Sequence, residues 1–121
     1  MDKEQALQSF FSQFDVPAYD ENTVPEEAVL PDITYETITD NFGAQNVLTA
    51  SIWDRNTSWA SVIGILHKVE NKLGYGGQTI NYDGGLLWVK RGMPFAQRMN
   101  DTDDSIRRIV LNLEIEYLSE V

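Results

Sequence analysis

The chain has 121 residues and a formal net charge of −10, with 42% hydrophobic and 11% aromatic residues and no cysteine. That length suits a single domain, 1–121, able to bury about two-thirds of its unfolded surface, and the apolar content is too high for a disordered chain. The composition excludes disulfides, thiol catalysis and cysteine-ligated zinc, and an acidic surface repels phosphates, which argues against a DNA or RNA binder.

In chain order, the start is acidic and polar rather than basic and then apolar, so no signal peptide is expected and the protein is read as cytoplasmic in origin. Asp2 and Gln5 have the spacing of a capping box. Leu7, Phe10, Phe11 and Phe14 form the apolar stripe of a first helix, which Asp15-Val16-Pro17 ends because the residue before a proline leaves helical geometry. Residues 19–32, with Pro25 and Pro31 among Asp20, Glu21, Glu26 and Glu27, read as an extended surface loop. Residues 33–38 are the first clear strand, and Asp40-Asn41-Phe42-Gly43 turns the chain into a second, 47–53, which suggests an antiparallel hairpin.

That second strand feeds the organising element. Trp59, Val62, Ile63, Leu66, Val69 and Leu73 recur at spacings of three and four, predicting a helix whose start is capped by Thr57 or Ser58 and whose end is stopped by Gly74. The glycine-rich stretch 74–85 reads as a hairpin or long loop. Residues 86–90 are a third strand, 92–99 an irregular and partly apolar connection, and 101–105 a polar turn. Ile109, Leu111, Leu113, Ile115 and Tyr117 alternate with polar positions in a fourth strand. The predicted order is α-β-β-α-β-β: an α+β domain with two helices packed on one face of a mainly antiparallel four-stranded sheet.

Chemistry is hard to find. The glycine stretch follows a helix and enters a strand, the reverse of a phosphate cradle. His67 is the only histidine, and no motif brings a nucleophile and an orienting acid to it. Asp101, Asp103 and Asp104 resemble half of a calcium loop, but Asn112 stands where the bidentate glutamate belongs. No enzyme, metal or cofactor is expected.

The charge is unevenly spread. Residues 1–46 hold ten carboxylates against Lys3 alone, whereas 47–100 hold three carboxylates against Arg55, Lys68, Lys72, Lys90, Arg91 and Arg98. A mildly basic middle beside an acidic front can complement another copy of the chain. Trp53, Trp59, Met93, Phe95 and Met99 are of the types favoured in interface cores.

Four stretches carry a family likeness. Leu30-Pro31-Asp32-Ile33-Thr34-Tyr35-Glu36, Ser51-Ile52-Trp53-Asp54-Arg55-Asn56-Thr57-Ser58-Trp59, Val89-Lys90-Arg91-Gly92-Met93-Pro94-Phe95-Ala96-Gln97 and Ile106-Arg107-Arg108-Ile109-Val110-Leu111-Asn112-Leu113 stand in the order found in the tail-terminator proteins of long-tailed bacteriophages, which the chain resembles from about Val16 to Leu118. The resemblance implies a structural subunit with no catalytic residues. It implies a homohexameric ring at the head-proximal end of the tail, assembled in the host cytoplasm and kept in the neck of the virion. Such a ring contacts the tail tube protein and a head-completion or connector protein, stops tube polymerisation, and lets genomic DNA pass without binding it; no membrane is involved. A head-completion or neck adaptor protein is the nearest alternative, and an acidic DNA mimic an alternative of a different class. The candidate subunit or tube interface comprises Arg55, Trp59, Lys90, Arg91, Met93, Pro94, Phe95, Gln97 and Arg98.

Overall fold

The structure is a computed structural model and describes residues 1–36 and 45–119. Its elements are α1 (Lys3–Phe11), β1 (Ala18–Asp20), β2 (Asp32–Tyr35), β3 (Gln45–Arg55), α2 (Ala60–Leu73), β4 (Gln78–Tyr82), β5 (Gly85–Met99) and β6 (Ile106–Ser119). The strands form one six-stranded sheet in the order β1-β2-β3-β6-β5-β4. β1 and β2 run parallel, and every other neighbouring pair is antiparallel.

This corrects the expected architecture. A curled, mixed sheet of six strands, in the order α-β-β-β-α-β-β-β, replaces the antiparallel sheet of four. One added strand, β1, lies in a stretch read as irregular because it is three residues long and flanked by Pro17 and by acidic turn residues. The other, β4, lies between glycines. It pairs with β5 from Gln78↔Val89 to Tyr82↔Gly85, leaving Asp83 and Gly84 as a two-residue hairpin loop with Gly84 at φ 93°, a conformation that glycine adopts without steric cost. The turn at Asp40-Asn41-Phe42-Gly43, with Thr37 and Ile38 before it, lies outside the described residues.

α1 begins as its sequence predicts. The Asp2 carboxylate accepts from the Gln5 amide at 2.8 Å, and the Gln5 side chain accepts from the Asp2 amide at 2.9 Å. The helix stops at Phe11, earlier than the proline rule suggests, with the Ser12 amide donating to the Gln8 carbonyl. Asp15 then adopts φ 65°, which turns Phe14 back into the core. In α2, Gly74 closes the helix, its N–H donating to the Glu70 carbonyl. The N-cap position is Trp59, one residue beyond the expected hydroxyls, and the Ser58 hydroxyl accepts from the Ala60 amide at 3.1 Å.

Both helices lie on the same side of the sheet. Across the paired strands, Leu48↔Leu113, Ala50↔Leu111, Ile52↔Ile109 and Val89↔Ile115 place buried side chains on that side. Phe10, Phe11 and Phe14 from α1 and Val62, Ile65, Val69 and Leu73 from α2 join them in one core. The other side carries Ser51, Trp53, Trp88, Lys90, Arg108, Asn112 and Glu116, by the same alternation. The long β5–β6 hairpin and β3 thus form a platform with a helix-covered side and a helix-free side.

One buried group fits this packing poorly. Asp32 is 3% exposed, and its Oδ1 has no hydrogen-bond partner. Burial pushes its carboxyl pKa up, since a carboxylate out of water is disfavoured against the neutral acid. A raised folded-state pKa contributes stability that is present below the unfolded value and lost as pH rises through the folded one. Asp32→Asn, which removes the charge at nearly constant shape, is therefore expected to raise stability near pH 8 by about 1 kcal/mol. The gain should shrink toward about pH 3, where the wild-type carboxyl is already protonated. Urea midpoints of the two proteins across that range check it, and parallel curves would show that Asp32 does not titrate on folding.

Candidate assembly interface

Among the described residues, the sheet leaves a long stretch of β5 paired on one side only. β4 covers β5 only from Gly85 to Val89, so from Lys90 to Met99 β5 has β6 on one side and, among the described residues, no strand on the other. A free edge of that length is a template for pairing unless something blunts it. Here a bulge does so. The register jumps from Arg91↔Leu113 to Ala96↔Leu111, so that Gly92, Met93, Pro94 and Phe95 stand opposite Asn112 alone. Only glycine fits at the first of these positions, because a Cβ on Gly92 would lie 2.6 Å from the Asn112 carbonyl oxygen. The Asn112 side-chain amide donates to the Pro94 carbonyl at 2.9 Å and pins the bulge, whose Met93-Pro94 peptide is cis.

The bulge presents two different surfaces. Met93 is 94% exposed, whereas Phe95 packs partly against the core with the Arg91 guanidinium 5.4 Å from its ring centroid. Arg91 also donates to the Glu70 carbonyl at 3.1 Å, near the carbonyl end of α2, where a cation is favoured. Met93-Pro94-Phe95 is therefore a protrusion of the free edge rather than a loop between elements.

Beside this edge lies a groove. The buried face of α2 is Val62, Ile65, Val69 and Leu73, turned slightly from the predicted stripe. Ile63 and Leu66 are consequently only half-buried, and with Ala96, Arg98 and Ile109 they line a cavity of about 260 Å³ between α2 and β5. Trp59 stands at one end. Its ring has the Arg98 guanidinium at 4.9 Å and that of Arg107 at 5.4 Å, positions at which a cation is attracted to the ring face. Arg107 also donates to the Thr57 carbonyl at 2.9 Å and the Asp104 carbonyl at 2.7 Å, tying the start of α2 to the turn before β6.

The predicted interface residues thus fall into two sets. Gln97 and Arg98 line the groove, Trp59 packs beside Arg98, and Arg91, Met93, Pro94 and Phe95 lie along the same edge of β5. Arg55 and Lys90 lie on the helix-free side and have partners within the chain. Arg55 reaches Asp103 at 3.0 Å and the Ser105 hydroxyl at 2.6 Å. The Ser105 hydroxyl and amide, together with Arg55, hold the Asp103 carboxyl down at about 2. Lys90 lies 4.2 Å from the Trp88 ring centroid and 3.5 Å from Glu116. On the same side Arg108 covers the Trp53 ring at 4.5 Å and donates to the Ser51 hydroxyl, and the Trp53 indole donates to the Thr34 hydroxyl at 2.9 Å. Cation and aromatic positions were legible in the sequence; the intramolecular pairings depend on cross-strand register, which it does not spell out.

A second cavity, of about 250 Å³, lies at the start of α1, lined by Asp2, Glu4, Gln5, Asp20 and Tyr35 among others. Burial first, then Asp20 and Glu4, push the Tyr35 hydroxyl pKa up to about 12, and that hydroxyl donates to the Gln8 side-chain carbonyl. His67 is exposed on α2.

No protein-family model and no curated protein sequence matches the chain. In three dimensions the chain is similar to a chain in the virion of a native gene transfer agent particle, at 19% identity and a TM-score of 0.62. The match covers 94% of this chain and 96% of that one, and at this identity the likeness is one of fold.

Proposed function

We propose that this chain is a structural subunit of a phage-like virion, a tail terminator that closes into a homohexameric ring on the head-proximal end of the tail tube. In that place it stops tube polymerisation and offers the head connector a surface to join. The observation that carries this reading is the correspondence of fold, along nearly the full length of both chains, with a component of a virion particle. The sequence resemblance to tail terminators points the same way, and so does the free edge of β5 with its apolar groove, a surface suited to a partner rather than a substrate.

In a ring, each subunit uses two different faces, one toward each neighbour. The groove residues Trp59, Arg91, Met93, Pro94, Phe95, Gln97 and Arg98 make up one such face. Arg55 and Lys90, on the other side of the sheet, belong to a different contact, with the tube or the connector.

The test is assembly on a tube. Purified protein is mixed with tail tubes polymerised from the tube protein of the same phage-like element, and the products are sized by light scattering and viewed by negative-stain microscopy. Rings with a central hole seated at one end of tubes that no longer grow are the expected result. A chain that leaves tube growth unchanged and never forms a ring would overturn the reading. Binding to the connector without binding to tubes would replace it with that of a neck adaptor.

A further inference from the structure

The sheet has two free edges of opposite character. At the β5 edge, the groove is flanked by Arg91 and Arg98, and neither guanidinium has a carboxylate partner among the described residues. Its apolar floor, Ile63 and Leu66, is only half-covered. At the opposite edge, residues 21–31 join β1 to β2 and carry Glu21, Glu26 and Glu27, none of which has an ion pair among the described residues. Among these acids Val24 is 40% exposed and Val29 is 74% exposed. An apolar side chain held in water between carboxylates, on one edge, matches an apolar groove between guanidinium groups on the other.

We propose that the groove between α2 and the free edge of β5 receives the 21–30 segment of a second copy of this chain. Val29 of the incoming copy seats between Ile63 and Leu66, and its Glu26 and Glu27 meet Arg98 and Arg91. Because donor and acceptor lie on opposite edges of one sheet, the contact is head-to-tail. Each copy can therefore both receive and donate, and a chain of such contacts closes when its rotation allows. The charges select the partner and its orientation, and the buried valine supplies the contact that excludes water. The edge of β5 stays protected from indiscriminate strand pairing by its own bulge.

This docking rests on the proposed ring, and the experiment separates the two. The chain contains no cysteine, so Ala28→Cys and Gln97→Cys can be introduced together and joined by a short bismaleimide in assembled rings. The double variant should yield a covalent ladder ending at the closed ring, and each single variant none. In parallel, Arg98→Glu should weaken assembly at least tenfold, and Glu26→Lys in the same chain should restore it. Rings that form without the ladder, and that tolerate Arg98→Glu, would overturn the docking and leave the ring reading intact. Failure of the unaltered protein to form rings, alone and on tail tubes, would overturn both.

Discussion

Phe10→Ala is expected to destabilise the protein by about 3–5 kcal/mol, as much as half the stability of an ordinary domain. Phe10 is fully buried, with Phe11 and Phe14 packed edge-on at ring-centroid distances of 5.0 and 5.5 Å. Those neighbours cannot readily collapse into the space it would leave. Phe11 is stacked on Tyr35 at 4.6 Å, and the Tyr35 hydroxyl is tied to Gln8 on the same helix. α1 spans nine residues, short of the ~12–15 that give even marginal helicity in isolation, so its helical state depends on this packing. The change should appear as a lower urea midpoint with an unchanged slope. A loss below about 1 kcal/mol would mean that the site repacks.

The aromatic stripe behind that prediction is visible in the sequence, and so is the capping box ahead of it. Both are local patterns, set by spacings of three and four residues within one element. The alternation of Ile109, Leu111, Leu113, Ile115 and Tyr117 was equally plain, and the structure buries all five. The features that escaped depend on what lies opposite. β1 is held by its pairing to β2, since Ala18-Tyr19-Asp20 has no periodicity of its own. β4 is half exposed, with Gln78, Thr79 and Asn81 giving little apolar signal, and it exists because β5 passes beside it.

The stripe of α2 shows the same division between local and tertiary information. Periodicity assigned Ile63 and Leu66 to the buried face and passed over Ile65. The curled sheet sets the helix a fraction of a turn differently, so Ile65 goes in and the other two are left beside the groove. Leu66→Ala should therefore cost less than the same change at a fully enclosed leucine, because its environment is partly solvent already. The half-covered pair is part of what makes the groove a candidate contact. Arg91 and Arg98 were expected at an interface from the charge split together with the family resemblance. Their placement on one side of the sheet, with Lys90 on the other, follows from strand alternation together with the bulge between them, and no sequence rule anticipated that bulge.

Gly92→Ala is expected to cost about 2 kcal/mol and to impair assembly beyond what the lost stability explains. The backbone dihedral at Gly92 is not in the left-handed region, so the added methyl brings no conformational strain of its own. It meets backbone instead, 2.6 Å from the Asn112 carbonyl oxygen and 2.9 Å from the carbonyl carbon. β6 cannot retreat, because Asn112 is also paired with Thr49 of β3 on its far side. β5 must move, which strains the Asn112–Pro94 hydrogen bond and lifts Phe95 and Arg91 at the head of the groove. Gly64→Ala is the matching control. Gly64 is exposed in α2, and an added Cβ there would have nothing within 4 Å, so the helix propensity of alanine should raise stability by up to about 1 kcal/mol. Urea midpoints should thus move in opposite directions for the two glycines, and only Gly92→Ala should reduce ring yield at concentrations where both variants are fully folded. Equal ring yields would separate the bulge from assembly and confine its role to ending the pairing of β5.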